Sequence, residues 1–441
     1  MIVSKFGGTS VGTLEAMTHS AHIVAQNPDR KLIVISATSG TTNNLVALEN
    51  PNISSTDREQ MLLEIEERHV EIIGQLENST TIMIEFKRLL SELREHLEQF
   101  GRDKRWKDTL YSFGELMSTK IFVEVLKKHG VKAEWLDARK VIKTDSTFSA
   151  AVPDLASIKK KADLYIKPGK TYLTQGFIGS DLFGSTTTLG RGGSDYSAAL
   201  FAEAVNADTL EIWTDVAGVY TTDPRLVKEA RPIPEISFDE AAELSVFGGK
   251  VLHPATLKPA IRSNTSVRVA SSKEPKLPGT FIVNTAKDEP TVRALSLRKD
   301  QTLLTVRSLD MLHQYGFLAK LFSVLSKHKI SVDLVSTSEV SVALTLDTAM
   351  KASNKVELTN EVLKELREFC DVEVERGLSL VALIGNHLDI TSGVSGNLFG
   401  MLRDYNIRMV CHGASANNVC FLVKEGIGEN IVKLLHKKFI G

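Results

Sequence analysis

The chain has 441 residues, 42% of them hydrophobic and 24% charged, which is enough for several buried cores and gives no sign of a disordered protein. Its formal net charge is −1, so nothing points to a nucleic-acid partner or an anionic membrane surface. Three cysteines (Cys370, Cys411, Cys420), without CxxC spacing or histidines at metal-ligand spacing, suggest reduced thiols used as small apolar fillers in a cytoplasmic protein. No apolar run approaches membrane-span length, and Met1 leads directly into a strand rather than a signal peptide.

The first strand, opening at Ile2-Val3, runs into Lys5, Gly7, Gly8, Thr9 and Ser10. Paired glycines let backbone approach a ligand closely, and the neighbouring amides and hydroxyls are donors. With the charge of Lys5 on the glycine turn, the set suits phosphate oxygens. It is not a P-loop, in which the lysine follows the glycines. Further strand-like runs are Lys31–Ser36 (KLIVIS), Ala133–Leu136, Tyr172–Phe177, Leu210–Thr214 and Ser266–Ala270, with amphipathic helices such as Leu116–Lys128 between them. This alternation predicts an α/β domain, doubly wound around a mainly parallel sheet. Residues 57–100 break the pattern with two charged, leucine-containing helical segments. They read as a helical excursion on that domain, with a dimerising helix pair as the alternative.

Gly190, Gly192 and Gly193 precede Ser194-Asp195 and a helix, which Ser194 or Asp195 is expected to cap. Such a turn makes an anion site, and Arg191 adds a guanidinium fork; a plain capped helix accounts for the pattern equally well. The buried-type run LEIWT then leads to Asp215, Gly218, Tyr220, Asp223, Pro224 and Arg225. A loop at the carboxyl end of such a strand suits a nucleotide base and phosphate, although an ordinary turn fits too. In FGGKVLHP, Lys250 precedes a helix; a lone lysine is usually solvated, and His253 reads as structural.

After Gly279 the composition shifts, and Asn284–Pro290 reads as a linker. An internal repeat follows: GFLAKLFSVLSKHKISVDLVSTSEVSVALTL from Gly316 aligns without a gap with GVSGNLFGMLRDYNIRMVCHGASANNVCFLV from Gly393. Each copy reads helix, strand, turn, strand. Each is preceded by a strand (Thr302–Val306, Leu378–Leu383) and followed by a helix. The first copy closes with Val372–Glu375, and Val292–Leu297 is predicted to supply the strand the second copy lacks.

Taken together, KFGGTSV (Lys5–Val11), SATSGTTN (Ser36–Asn43), GELMST (Gly114–Thr119), TLGRGGSD (Thr188–Asp195), TDVAGVYTTDPR (Thr214–Arg225) and FGGKVLHP (Phe247–Pro254) resemble aspartokinase, colinearly over almost the whole chain. The helical excursion and SVDLVSTSEVSVALTLD resemble the lysine-inhibited monofunctional type. The resemblance implies an amino-acid-kinase fold over 1–290 and two α+β ferredoxin-like ACT modules, at 291–376 and 377–441. It implies phosphorylation of the aspartate side-chain carboxylate by ATP with Mg²⁺, giving an acyl phosphate. It also implies a homodimer through the ACT modules, or a tetramer, with neither nucleic acid nor membrane as partner.

By position, Glu115 would take the aspartate ammonium and Arg191 its α-carboxylate, with Ser36, Thr42 and Ser194 in support. Lys5 would offset charge on the transferring phosphoryl group, and Asp195 would orient Lys5 or organise the metal, for which no protein ligand is named. Lys5, Gly7, Gly8, Thr9, Ser10, Thr214, Asp215, Tyr220, Arg225, Lys250 and Val251 would hold ATP. Ala217 and Gly249 depart from the usual pattern, and Gly249 loosens the expected placement of Lys250. In the repeat, Asp333 aligns with Val410 and Glu339 with Ala416, so the first copy keeps two carboxylates that favour a cationic effector. Met311, Gln314, Phe317, Leu318, Val332, Asp333, Thr337, Ser338 and Glu339 would line a lysine site, although Met311 and Phe317 read equally as core. The competing readings are another amino-acid kinase and a non-catalytic amino-acid sensor. A fused dehydrogenase is not expected, because no GxGxxG follows the repeat.

Overall fold

The computed structural model describes the chain except for Asn78, Phe100, Lys250, Val251, His253, His313, Gln314 and residues 347–357. It divides into two compact units. The first comprises Met1–Val219, Pro232–Ala242 and Lys250–Ala286; the second comprises Tyr220–Arg231, Glu243–Gly249 and Lys287–Gly441.

In chain order the elements up to residue 283 are β1 (Ile2–Phe6), α1 (Leu14–Ala25), β2 (Arg30–Ile35), α2 (Thr41–Leu48), α3 (Ser55–Gly74), α4 (Ser79–Leu97), α5 (Lys104–Lys128), β3 (Ala133–Leu136), α6 (Leu155–Tyr165), β4 (Thr171–Gln175), β5 (Ile178–Ser180), β6 (Thr186–Thr188), α7 (Gly193–Ala204), β7 (Thr209–Thr214), β8 (Glu235–Ser237), α8 (Phe238–Val246), α9 (Pro254–Ser263), β9 (Ser266–Ser271) and β10 (Thr280–Val283). Eight of the strands form one sheet in the order β3-β4-β2-β1-β7-β9-β10-β8. Every pairing in it is parallel except β9 with β10. The central strands β2, β1 and β7 are buried along nearly their whole length, as parallel strands covered on both faces are. β1 lies where the strand order reverses, with β2 on one side and β7 on the other. In such sheets the carboxyl ends at that point are where ligands sit.

The core below that point is aromatic. Phe6 stacks on Trp213 with ring centroids 6.0 Å apart, and Phe122 tilts against Phe6 at 6.3 Å. Truncating either of the first two would cost about 3–5 kcal/mol. A buried pair, Arg30 with Glu211 at 2.7 Å, is completed by Ser4 Oγ and Trp213 Nε1 donating to the same carboxylate at 2.9 and 3.0 Å.

Several boundaries move for identifiable reasons. The strand expected over Tyr172–Phe177 ends at Gln175, and Phe177 turns into the left-handed region at φ +67°. The helix expected from Leu116 starts at Lys104, where Asp103 caps it by accepting from the Trp106 amide at 2.8 Å. Residues 57–100 do form two helices, α3 and α4. Leu62, Ile65, His69, Ile72 and Ile73 make a buried stripe on α3 within the first unit.

The second unit contains β11 (Ala294–Arg307), α10 (Phe317–Lys327), β12 (Val332–Thr337), β13 (Ser341–Leu346), α11 (Asn360–Arg367), β14 (Asp371–Ile384), α12 (Val394–Met401), β15 (Ile407–His412), β16 (Asn418–Lys424) and α13 (Gly428–Phe439). Its strands form one antiparallel sheet, β12-β13-β11-β14-β16-β15. The separate strands expected at 292–297 and 302–306 are one long strand, as are those at 372–375 and 378–383. In β11 the register slips around Gln301, beside Asp300 at φ +55°, so one strand serves both copies. Its first part, Ala294–Arg298, runs antiparallel to Leu380–Ile384 of the second copy. Val292 and Leu295 share a core there with Val381, Leu383 and Phe421. The first copy has its own core, including Leu304, Val342, Leu344, Leu321 and Leu325. Tyr220–Arg231 joins this unit because Val227 enters the second copy's core and Thr221 Oγ1 lies 3.0 Å from His436 Nε2.

Candidate active site

Lys5 is the penultimate residue of β1, not part of the glycine turn as expected; the strand runs on to Phe6. Residues alternate faces along a strand, so Ser4 joins the Arg30–Glu211 network and Lys5 faces the other way. Lys5 is 9% exposed, and its Nζ lies 2.6 Å from Asp195 Oδ1. The turn at Gly8–Val11 follows. A Cβ on Gly7 would stand 3.5 Å from Lys5 Nζ, and one on Gly8 would stand 2.9 Å from the Ala37 carbonyl oxygen. Glycine is therefore needed at Gly8 for this turn to lie against the loop that follows β2. Thr9 is exposed, whereas Ser10 is buried with its Oγ 2.7 Å from Ser272 Oγ. Ser272 in turn donates to the Thr214 carbonyl at the end of β7. The glycine turn, Thr214 and Ser272 thus meet at the carboxyl ends of β1, β7 and β9.

Asp195 lies in the first turn of α7, and Ser194 precedes it. Neither caps the helix. The capping position is Gly192, at φ +71°, with no side-chain cap. The left-handed backbone there favours glycine and leaves Ser194 and Asp195 inside the turn, near the positive end of the helix dipole. Ser194 packs tightly on Gly176, where a Cβ would fall 2.6 Å from that of Ser194. Arg191 is exposed on the loop before the helix.

Glu115 is the second carboxylate of the site, reached from the opposite side. It sits mid-way along α5 and is 3% exposed. Its Oε1 accepts from the Ala37 amide at 3.2 Å, while its Oε2 is buried with no hydrogen-bond partner among the described residues. Burial pushes its pKa up to about 8. One turn on, Ser118 Oγ donates to the Ser36 carbonyl at 2.9 Å. Gly114 allows this approach, because a Cβ there would meet Ala37 Cβ at 2.8 Å. Residues 36–37 therefore lie between Glu115 and the glycine turn over which Lys5 folds. Further along the loop, Ser36 is half-buried and Thr42 exposed.

Among the other expected nucleotide residues, Thr214 is half-buried and donates to Asp215 at 3.2 Å. Tyr220 and Arg225 belong to the second unit, where Arg225 is largely exposed and pairs with Asp223 at 2.6 Å. Lys250 and Val251 lie outside the described residues. Reading the sequence missed Gly176, Phe177, whose ring a Cβ on Gly193 at the start of α7 would meet at 2.6 Å, and Ser272. Only the QGFIG stretch, with a glycine ending a strand, signalled the first two.

In the second unit Asp333 pairs with Arg298 at 2.8 Å, both largely buried. Arg298 also donates to the Val246 carbonyl at 3.2 Å. Met311, Phe317 and Val332 pack against the first copy's core. Leu318, Thr337, Ser338 and Glu339 are exposed, with Ser338 Oγ 2.7 Å from Ser341 Oγ. Gln314 lies outside the described residues.

Comparison with known proteins decides the family. The amino acid kinase family model matches residues 1–271, and an ACT domain model matches residues 381–439. The chain is 50% identical to the lysine-sensitive aspartokinase 3 of Escherichia coli, over 99% of this chain and 98% of that one. It is 36% identical to aspartokinase 1, chloroplastic, of Arabidopsis thaliana, over 99% of this chain and 80% of that one. The chain belongs to the aspartokinases, in the amino acid kinase family. The E. coli aspartokinase III crystal structure with aspartate and ADP superposes with a TM-score of 0.90 at 49% identity, covering both chains fully. The same aspartokinase with lysine and aspartate gives 0.87. Among the described residues of this aspartokinase, no helix is long and apolar enough to cross a membrane.

Proposed function

We infer that the chain transfers the γ-phosphoryl group of ATP to the side-chain carboxylate of L-aspartate, giving 4-phospho-L-aspartate under feedback inhibition by lysine. The E. coli relative is crystallised with aspartate and ADP, and with lysine and aspartate. The observation that carries the reading is Glu115, whose Oε1 binds the loop against which the glycine turn is packed and whose buried Oε2 has no hydrogen-bond partner among the described residues. A buried carboxylate in this state is complementary to a ligand ammonium, and aspartate brings one.

The reacting carboxylate is already an anion and needs no base. The obstacle is repulsion between it and the phosphoryl group, so catalysis rests on positioning and cationic stabilisation. Lys5, fixed by Asp195, offsets charge growing on the transferred oxygens. Arg191 binds the aspartate α-carboxylate, with Ser36, Thr42 and Ser194 in support. The Gly7–Ser10 turn, Thr214 and Asp215 hold the nucleotide. Among the described residues no group of three or more His, Cys, Asp or Glu could hold a metal ion. Mg²⁺, held mainly by phosphate oxygens and water, would screen the two anions from each other.

We assign 1–290 to catalysis and the two copies to ACT modules, in a cytoplasmic homodimer. Asp333, with Glu339 beside the strand turn, is the effector carboxylate. Since it already holds Arg298, incoming lysine competes with an internal cation. An aspartate hydroxamate assay tests the reading. Hydroxamate forms from Mg-ATP, aspartate and hydroxylamine, and falls when lysine is added. Folded protein that yields none is not an aspartokinase in function.

A further inference from the structure

His69 stands in an otherwise aliphatic stripe of α3, between Ile65 and Ile72. A leucine there would bury more apolar surface without the cost of desolvating a ring, so the imidazole calls for an explanation. Its Nδ1 lies 2.7 Å from the Ile65 carbonyl oxygen, and its Nε2 lies 3.1 Å from Thr38 Oγ1. A carbonyl only accepts, so Nδ1 carries the hydrogen. Nε2 is then the acceptor, and the Thr38 hydroxyl donates to it. The ring is held flat against Phe86, with centroids 5.2 Å apart and planes inclined by 18°. Burial keeps it neutral, lowering its pKa to about 4.

Thr38 follows Ala37, whose amide binds Glu115, and Ser36, whose carbonyl binds Ser118. Helix α3 grips the end of the same loop and the helix α2 that follows it. The Arg68 guanidinium lies over Gly40, where a Cβ would come within 3.0 Å of it. Asn44 donates to Glu64 at 3.0 Å. All of these residues lie in the first unit. We propose that α3 is a brace for the aspartate-binding loop, and that His69 is a positioning residue which fixes Thr38 and thereby the placement of Ser36 and Thr42 on the substrate. This rests on the reading that residues 36–42 contact aspartate. It assigns the helical excursion a role in substrate affinity rather than in folding alone. Among the described residues no hydrogen bond joins Gly7–Ser10 to His69 or Thr38, and the turn meets this loop through Gly8 at Ala37 and Ser39, so the ATP constant is expected to move far less than the aspartate constant.

The test measures the steady-state constants of His69→Leu, His69→Gln, Thr38→Val and the double variant His69→Leu/Thr38→Val. His69→Leu and Thr38→Val are each expected to raise the aspartate KM by about tenfold, with the ATP KM unchanged within about twofold. The double variant should be no worse than His69→Leu alone, because both single changes remove the same His69–Thr38 hydrogen bond. His69→Gln, which keeps an acceptor, should recover part of the loss. Additive effects, or aspartate and ATP constants that rise together, would overturn the proposal. Thr38→Val nearly conserves volume, so it keeps the test open if His69→Leu does not fold. Thr42→Val separates the two readings. If it raises the aspartate KM while His69→Leu and Thr38→Val do not, the loop binds aspartate and the brace is wrong. If none of the three changes it, the assignment of the loop itself fails.

Discussion

Glu115 and Asp333 are both assigned to a ligand ammonium, yet the fold treats them in opposite ways. Glu115 is sealed inside the first unit with one oxygen unpartnered among the described residues, and burial raises its pKa. Asp333, in the second unit, already holds the guanidinium of Arg298. Asp195 stands between these cases: its cation is Lys5, which is itself assigned to the chemistry. A carboxylate without a cation of its own gains most from a cationic ligand, but must first lose a proton. A carboxylate with an internal cation is already paired, and the ligand must displace what is there. The first arrangement suits a substrate, and the second suits an effector whose weaker net binding keeps inhibition adjustable.

The largest effect is expected at the carboxylate whose partner acts in the reaction. Lys5→Met should lower kcat by about a thousandfold while the aspartate KM changes little, because its charge acts on the transition state. An unchanged kcat would remove Lys5 from the chemistry. Next, Glu115→Gln should raise the aspartate KM by about two hundredfold or more and leave the ATP KM alone, in line with the ~3–5 kcal/mol cost of removing one partner of a buried ion pair. A rise in the ATP constant instead would place Glu115 on the wrong ligand.

The effector carboxylate gives smaller effects, and they should have opposite signs. Asp333→Ala should raise the lysine concentration for half-inhibition by tenfold or more, a change of about 1.4 kcal/mol. Arg298→Met should lower it by about threefold, because the internal competitor is gone, a change of about 0.6 kcal/mol. If both variants weaken inhibition, Arg298 transmits the signal rather than opposing the ligand.

The last effect is on stability. The folded-state pKa of Glu115 is raised from an ordinary 4.5 to about 8. Between those values the folded protein keeps a proton that the unfolded chain releases, so Glu115 lowers folding stability as pH rises through that window. Glu115→Gln should therefore raise the melting temperature more at pH 8 than at pH 5. Equal shifts at the two pH values would mean that Glu115 is ionised in the folded state.

How much of this was legible from residues alone differs between the two units. The parallel strands were readable because their apolar runs are continuous, and Lys5, Asp195 and Glu115 stood in motifs whose order is specific. The repeat located both small modules, and the strand at Ala294–Arg298 could be anticipated from the one the second copy lacked. That β11 and β14 each serve both copies could not be read, because the polar runs at their joints look like strand ends, whereas the chain continues the strand through a left-handed residue, Asp300 in β11 and Gly377 in β14. The cap of α7 was misread for a related reason. A serine and an aspartate before a helix look like caps, whereas backbone handedness gave that position to Gly192. Phe177 and Gly176 stayed hidden because their role depends on close packing against α7, which is distant in sequence. His69 was silent because a histidine on an apolar stripe signals nothing until Thr38 is seen beside it.

The central claim is that a sealed, cation-seeking carboxylate at Glu115 recognises the ammonium of aspartate. The most direct measurement is calorimetry of aspartate binding at pH 7, with the protein saturated by a non-hydrolysable ATP analogue, in two buffers of different ionisation heat. The account predicts release of close to one proton per aspartate bound, and almost none from Glu115→Gln. Binding that releases no proton from the unmodified protein, or the same number from the variant, would contradict it.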